Sequence, residues 1–547
     1  MSPARRNAPA PTPSIKLSMW LPTGFVLLAG MAAYAAVSAN ALNNAGLSFD
    51  EVGYLIKAWW YISGAVMPFS AADAAPTLPV FPFGLGVLQT QIGLAATAAR
   101  SAMIVLGFMN GVLLYFLCRK LTANSLASAA AVLIFIGSPA TSYSFSIVSP
   151  VVVVSLLHTI ALWLVVLSVG RPQVWRTIIM GVVLATIALL SLDMALPVLF
   201  LLVLFMAATG SARWVHGAVI VAVIAAIIGA TIVVLPEQFT AFLLNHPLVA
   251  LLQKLTGLGP ITPAIFPPTP NYSALRIIED AYEAVLLPYG GTLMLCLLLI
   301  ALTLRGPRVF WIVPIYFLAA LAALVVFQTP ACDVCMVSAV SQVSAMGALG
   351  VAMALAFLAR LVRQQKLAGA PLMIGGAFLA LALNTFAPVL ANRDALHSFP
   401  AEMMKQPRPG AEQEDIATLM RFIGQNVPPG AEPILLLHKL PALPYAAHMA
   451  GRRFPAVSIN PLAALRPVPS SLSGARREAA LAAIERNGGW TGEALRRWIE
   501  RDYELILIQD GAISMDPTTA GILGTSFDAA ATTEYRGSKL TLYKRKG

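Results

Sequence analysis

The feature that most limits how this chain can fold is a succession of apolar runs, each about long enough to cross a bilayer. They fall at roughly 18–41, 98–118, 123–140, 151–169, 176–192, 194–209, 215–235, 284–304, 309–328, 337–361 and 370–391. A helix needs about 20 apolar residues to span the hydrocarbon core, and it satisfies its own backbone hydrogen bonds while doing so. The expectation is a polytopic α-helical membrane protein with about eleven transmembrane helices. Composition agrees: 58% of the 547 residues are hydrophobic and 11% charged, where a soluble chain carries about a quarter charged. Segment 84–97 reads as re-entrant or interfacial. The first run follows Arg5, Arg6 and Lys16 and ends near Ala39-Asn40-Ala41, a small-residue pattern resembling a signal cleavage site. A signal's apolar region is only ~7–15 residues long, so this run is read as a retained first helix.

Alternating spans give the chain a direction. Arg5, Arg6, Lys16, Arg119, Lys120, Arg171, Arg176, Arg213, Arg305, Arg308, Arg360, Arg363 and Lys366 then share one side, and only Lys57, Arg100, Lys254 and Arg276 share the other. Basic loops mark the cytoplasmic side, so the N-terminal tail, residues 1–17, is expected there. The acids up to residue 391 are Asp50, Glu51, Asp73, Asp193, Glu237, Glu279, Asp280, Glu283 and Asp333. All nine fall at the outer side. Avoidance of the basic loops would explain this, and so would a polar chamber at the outer membrane surface, where ionisable residues carry function.

The formal charge of +11 does not point to nucleic acid. The cations sit in short clusters between apolar runs, without the basic, aromatic-interleaved groove that such binding uses. Cys118 and Cys296 read as packing residues. Cys332 and Cys335 form a C-x-x-C in a short outer loop, with no further zinc ligand close by, and could be bridged or free.

Composition changes after residue 391. The last 155 or so residues hold nineteen Lys or Arg and sixteen Asp or Glu, a soluble balance, behind a linker marked by Pro400, Pro407 and Pro409. The pattern predicts helices over Glu412–Asn426, Ala475–Arg486 and Gly492–Arg501, and strands over Pro433–His438 and Tyr503–Gln509. A hairpin is predicted with Thr532–Tyr535 and Lys539–Tyr543 flanking Arg536-Gly537-Ser538. Residues 392–547 are thus expected to form a small α/β extracytoplasmic domain after a membrane domain over 18–391. His438 and His448 are read as core or polar residues rather than catalytic ones.

Two outer loops are long, 43–100 and 237–283. The first opens with Asp50-Glu51-x-x-Tyr54, then the amphipathic stretch Tyr54–Ile62, in which Trp59 and Trp60 read as interfacial anchors. Two adjacent carboxylates at a lipid interface are costly to desolvate, and their proximity is expected to raise one pKa. Such a carboxylate can act as general base on a hydroxyl or help hold a divalent metal. The pair also fits the start of a helix, capped by Ser48 or Asp50, where the dipole favours acids. No D-x-D occurs, so no metal is expected to be required.

The layout of a first span, a long outer loop opening with D-E-x-x-Y, a Pro-rich segment (Pro76, Pro79, Pro82), then Gly93 and Ala98-Ala99-Arg100 opening the next span, resembles the GT-C glycosyltransferases. It is most similar to the branch containing the aminoarabinose-to-lipid-A transferases and the protein O-mannosyltransferases. The resemblance implies transfer of a sugar from a polyprenyl-phosphate donor to a hydroxyl acceptor on the outer side of a bacterial-type inner membrane. It makes Asp50 the catalytic carboxylate, with Glu51 its neighbour. Tyr54, Lys57, Arg100, Lys254 and Arg276 are the candidates for holding donor and phosphate. Arg276, Glu279, Asp280 and Glu283 have one-turn spacing and share a helical face, and with Tyr289 they are candidates for lining the chamber. The family's His or basic residue before Pro-Pro is absent from Ala75–Pro79. A lipid or solute transporter and a non-catalytic membrane scaffold with a partner-binding outer domain are the alternative readings. A transporter would place charges near mid-span and repeat its halves.

Overall fold

The computed structural model describes residues 17–235 and 411–546 apart from short stretches, the longest at 74–77, 191–194, 513–516 and most of 462–489. It also describes Phe239, Ala352, Leu355 and Ala356. The spans expected beyond residue 284, the loop 237–283 with Lys254, Arg276, Glu279, Asp280 and Glu283, and the residues Asp193, Tyr289, Cys296, Cys332 and Cys335 lie outside the described residues, as does most of Ala475–Arg486.

The N-terminal part is helical throughout: α1 (Leu17–Asn44), α2 (Phe49–Ser63), α3 (Val80–Ile92), α4 (Ala96–Thr122), α5 (Ser125–Ile136), α6 (Pro139–Ser144), α7 (Val151–Ser168), α8 (Val174–Leu190), α9 (Ala195–Thr209) and α10 (Arg213–Val234). Four of these are long and apolar enough to cross a membrane: α1 over Pro22–Leu42, α4, α7 and α10. At 17 and 15 residues, α8 and α9 are apolar but shorter. The single span expected over 123–140 is instead two helices. Pro139 opens the second, as suits a residue with no N–H to give and a preference for the first helical position. Segment 84–97 comprises the end of the short apolar helix α3 and the start of α4.

Close helix crossings depend on small residues. A Cβ on Gly107 of α4 would lie 2.2 Å from the Tyr34 hydroxyl of α1, and that hydroxyl donates to Ile104 O at 2.8 Å. Between α4 and α7, Asn110 Nδ2 donates to Ser155 Oγ (2.9 Å), and Asn110 Oδ1 accepts from Thr159 Oγ1 (2.7 Å). Where lipid tails are as apolar as leucine, such small and polar contacts hold helices together. Helix α3 crosses α2 so closely that a Cβ on Gly86 would meet Ala58 O at 2.4 Å. At the same crossing Gln89 Nε2 donates to Leu55 O at 3.2 Å.

The C-terminal part is α/β: α11 (Ala411–Asn426), β1 (Ile434–Leu437), α12 (Ala442–Met449), α13 (Gly492–Arg497), β2 (Leu505–Gln509), α14 (Pro517–Ser526), β3 (Phe527–Tyr535) and β4 (Ser538–Arg545). The sheet order is β1-β2-β4-β3, with β1 and β2 parallel and the other pairs antiparallel. Every residue of β1 and β2 is buried, the mark of strands covered on both faces. The predicted hairpin is longer than its sequence pattern suggests. Its turn uses Arg536 and Gly537, both at positive φ, and Phe527 carries β3 back into the core. The helix predicted over Gly492–Arg501 is α-helical to Arg497 and widens to a π turn over Trp498–Asp502.

This unit is not separate from the helices. Val52 and Leu55 of α2 belong to the same continuous apolar core as Leu443, Tyr445 and Ile459. Trp60 packs against Phe454, with ring centroids 5.5 Å apart.

Candidate active site

Helix α2 starts because Ser48 caps it: its hydroxyl accepts from Glu51 N at 3.1 Å, in extended backbone geometry. Asp50 and Glu51 then occupy the first turn, where the helix dipole favours acids. Successive helical residues point about 100° apart, and this separates the pair. Asp50 is exposed, whereas Glu51 is 1% exposed.

The Glu51 carboxylate accepts three hydrogen bonds from two partners. Arg100 of α4 grips it with both prongs, Nε to Oε1 at 2.7 Å and Nη2 to Oε2 at 2.6 Å. Val148 N, in the connection between α6 and α7, donates to Oε1 at 3.0 Å. Arg100 Nη2 also donates to Gly46 O at 3.1 Å, which ties in the segment between α1 and α2. A two-pronged guanidinium–carboxylate pair fixes orientation as well as charge. The two adjacent carboxylates thus differ sharply in burial. Arg100 itself is 3% exposed.

A second buried pair lies further along α2. Lys57 Nζ is 2.8 Å from Asp73 Oδ1, and Asp73 Oδ2 accepts from Tyr61 Oη (2.8 Å) and Phe69 N (2.9 Å). Burial pulls the Lys57 ammonium below its ordinary value, and Asp73 offsets part of that pull through its charge and hydrogen bond. Tyr54, on the first turns of α2, packs edge-on against Phe81 of α3 at 5.0 Å.

The structure thus brings together Glu51 with Arg100 and, separately, Lys57 with Asp73. Asp73, Val148 and Gly46 were not among the residues the sequence singled out. Asp73 was visible only as one outer acid of nine, and backbone partners leave no mark in a sequence. Among the described residues no group of three His, Cys, Asp or Glu gathers as a metal site.

The C-terminal unit closes over the start of α2. The His438 ring stacks on Phe49, centroids 6.0 Å apart. Its Nδ1 accepts from Leu440 N (3.1 Å), so Nε2 carries the proton and donates to Ser458 O (2.8 Å). With both nitrogens used within its own unit, His438 has none for proton transfer. Burial pushes its pKa down to about 4, and burial does the same to His448. Tyr445 Oη accepts from Ala96 N, the first amide of α4, at 2.8 Å.

No protein-family model and no curated protein matches the chain. Solved structures do. ArnT from Cupriavidus metallidurans bound to undecaprenyl phosphate aligns at TM-score 0.54 and 14% identity, over 95% of this chain and 98% of that one. The apo state of the same protein aligns at TM-score 0.55 and 15% identity over the same shares. The chain thus shares its fold with this ArnT over nearly the whole length of both.

Proposed function

We propose that this chain is a membrane glycosyltransferase that moves a sugar from a polyprenyl-phosphate donor to a hydroxyl acceptor, with Asp50 as general base. The observation that carries the reading is Asp50 itself. It is an exposed carboxylate on the first turn of α2, beside a neighbour braced by Arg100, in a fold shared over 95% of the chain with a protein solved with undecaprenyl phosphate bound. In the reaction the acceptor hydroxyl gives its proton to Asp50 as its oxygen bonds to the anomeric carbon. The bond from that carbon to the phosphate oxygen breaks, and polyprenyl phosphate leaves. General-base assistance contributes typically 10²–10⁴-fold.

The leaving phosphate needs positive charge. Lys57 and Arg100 already hold Asp73 and Glu51, so in this reading Lys254 and Arg276 are its first partners. Lys57 could contribute by exchanging Asp73 for phosphate. Glu279, Asp280, Glu283 and Tyr289 would line the far wall of the chamber. The cation asymmetry puts residues 1–17 in the cytoplasm, with α2 and the α/β domain of 392–547 on the outer side of the membrane domain, 18–391. No metal enters the scheme.

The test is transfer of label from a radiolabelled polyprenyl-phosphate sugar into lipid or protein fractions by the purified chain in proteoliposomes. Asp50→Asn should cut transfer at least about a hundredfold while the melting temperature stays where it is. Full transfer by that variant would sink the proposal.

A further inference from the structure

Helix α4 begins without a cap of its own. Its N-cap position is Ala95, which offers no side-chain hydrogen bond, and the opening N–H groups of a helix have no partner within it. The Ala96 N–H donates instead to the Tyr445 hydroxyl, 349 residues further along the chain. Tyr445 is a buried residue of α12, so its hydroxyl is presented by a packed ring rather than by a mobile surface side chain. Ala96 and Arg100 are four residues apart on one face of the helix. Arg100, which reaches Glu51, therefore sits directly above the residue that Tyr445 caps, one turn further along α4. The same unit steadies the first turn of α2, where His438 backs Phe49, the residue before Asp50. The ring of His438 cannot turn away without breaking its bonds to Ser458 O and Leu440 N.

We infer that the C-terminal α/β unit is a positioning device for the transfer site, in which the Tyr445 hydroxyl fixes the first turn of α4 and thereby the Arg100–Glu51 brace beside Asp50. This rests on the transferase reading above. Tyr445 acts through the backbone of another helix, so it is a positioning residue and not a catalytic one. It also gives the unit a role that its sequence, with no phosphate loop and no catalytic triad, does not advertise.

Tyr445→Phe tests this, because it removes the hydroxyl and keeps the packed ring. The expected result in the proteoliposome assay is a fall in kcat of roughly tenfold, the factor that about 1.4 kcal/mol of barrier represents, with KM for the donor little changed. Hydrogen–deuterium exchange, read without substrate, should quicken at residues 96–100 and also at 48–52, where the loosened brace reaches α2. A variant with undiminished kcat would overturn the proposal, since the cap would then be structural only. Exchange that quickens at 96–100 alone, or nowhere, would overturn it too. If the unaltered chain transfers no sugar, the transferase reading falls, and the brace is judged by whether exchange spreads to 48–52.

Discussion

Glu51 and Arg100 show how one residue's position decides its chemistry. Burying two charges costs several kcal/mol each, and the cost is recovered only by close pairing and further hydrogen bonds. Here the pair has both, through Val148 N and Gly46 O. Glu51→Gln leaves the guanidinium buried without its counter-charge, and should cost about 3–5 kcal/mol. Thermal unfolding in detergent should show Arg100→Gln to be similarly costly, and the double variant less so than the sum of the two. Additive losses would mean that the two side chains do not depend on each other. The acid pair and its helix start were legible in the sequence, with Ser48 or Asp50 as the cap, and the structure selects Ser48. What could not be read was the partner. Arg100 lies 49 residues away, and nothing in the run Ala98-Ala99-Arg100 distinguishes a buried brace from a cation waiting for phosphate.

Among the elements, the crossing of α2 and α3 is the tightest constraint on where α2 can sit. Gly86 has backbone where a side chain would go, whereas Gly84, two residues earlier on the same helix, has nothing within 4 Å. Gly86→Ala should therefore destabilise the protein by about 1–3 kcal/mol, and Gly84→Ala should stabilise it by roughly 0.5–1 kcal/mol through better helix propensity. Melting temperatures that move in opposite directions are the signature. Most element types followed from periodicity, including α11 and both buried strands. The exceptions have local causes. Pro139 divided one expected span, and the helix expected over Gly492–Arg501 widens to a π turn after Arg497. Hydrophobic period reports that a face is covered, not what covers it.

At the scale of the whole molecule, the α/β unit and the helices share one core, so conditions that loosen one should be felt by the other. His438 is the sensitive point. Its ordinary value of 6.5 is held down to about 4 by burial, so between those values the unfolded chain binds a proton that the folded chain refuses. Stability contributed by the neutral ring is complete above about pH 6.5 and is lost as pH falls through 4, by up to roughly 3 kcal/mol. Tryptophan fluorescence melts, which read Trp490 inside the unit, should fall more between neutral pH and about pH 5 for the unaltered chain than for His438→Gln. Equal losses would place the acid sensitivity elsewhere. The division into apolar helices and a polar C-terminal region was plain from composition, but the contact between them was not. The bond from Ala96 to Tyr445 has one more consequence, in time rather than space. At ~5–20 residues per second a ribosome needs on the order of tens of seconds to travel from one partner to the other. Helix α4 therefore enters the membrane uncapped and waits. A nascent or truncated chain has its acids and its arginine but not the tyrosine that sets their turn, so a portion synthesised later completes the geometry of an earlier one.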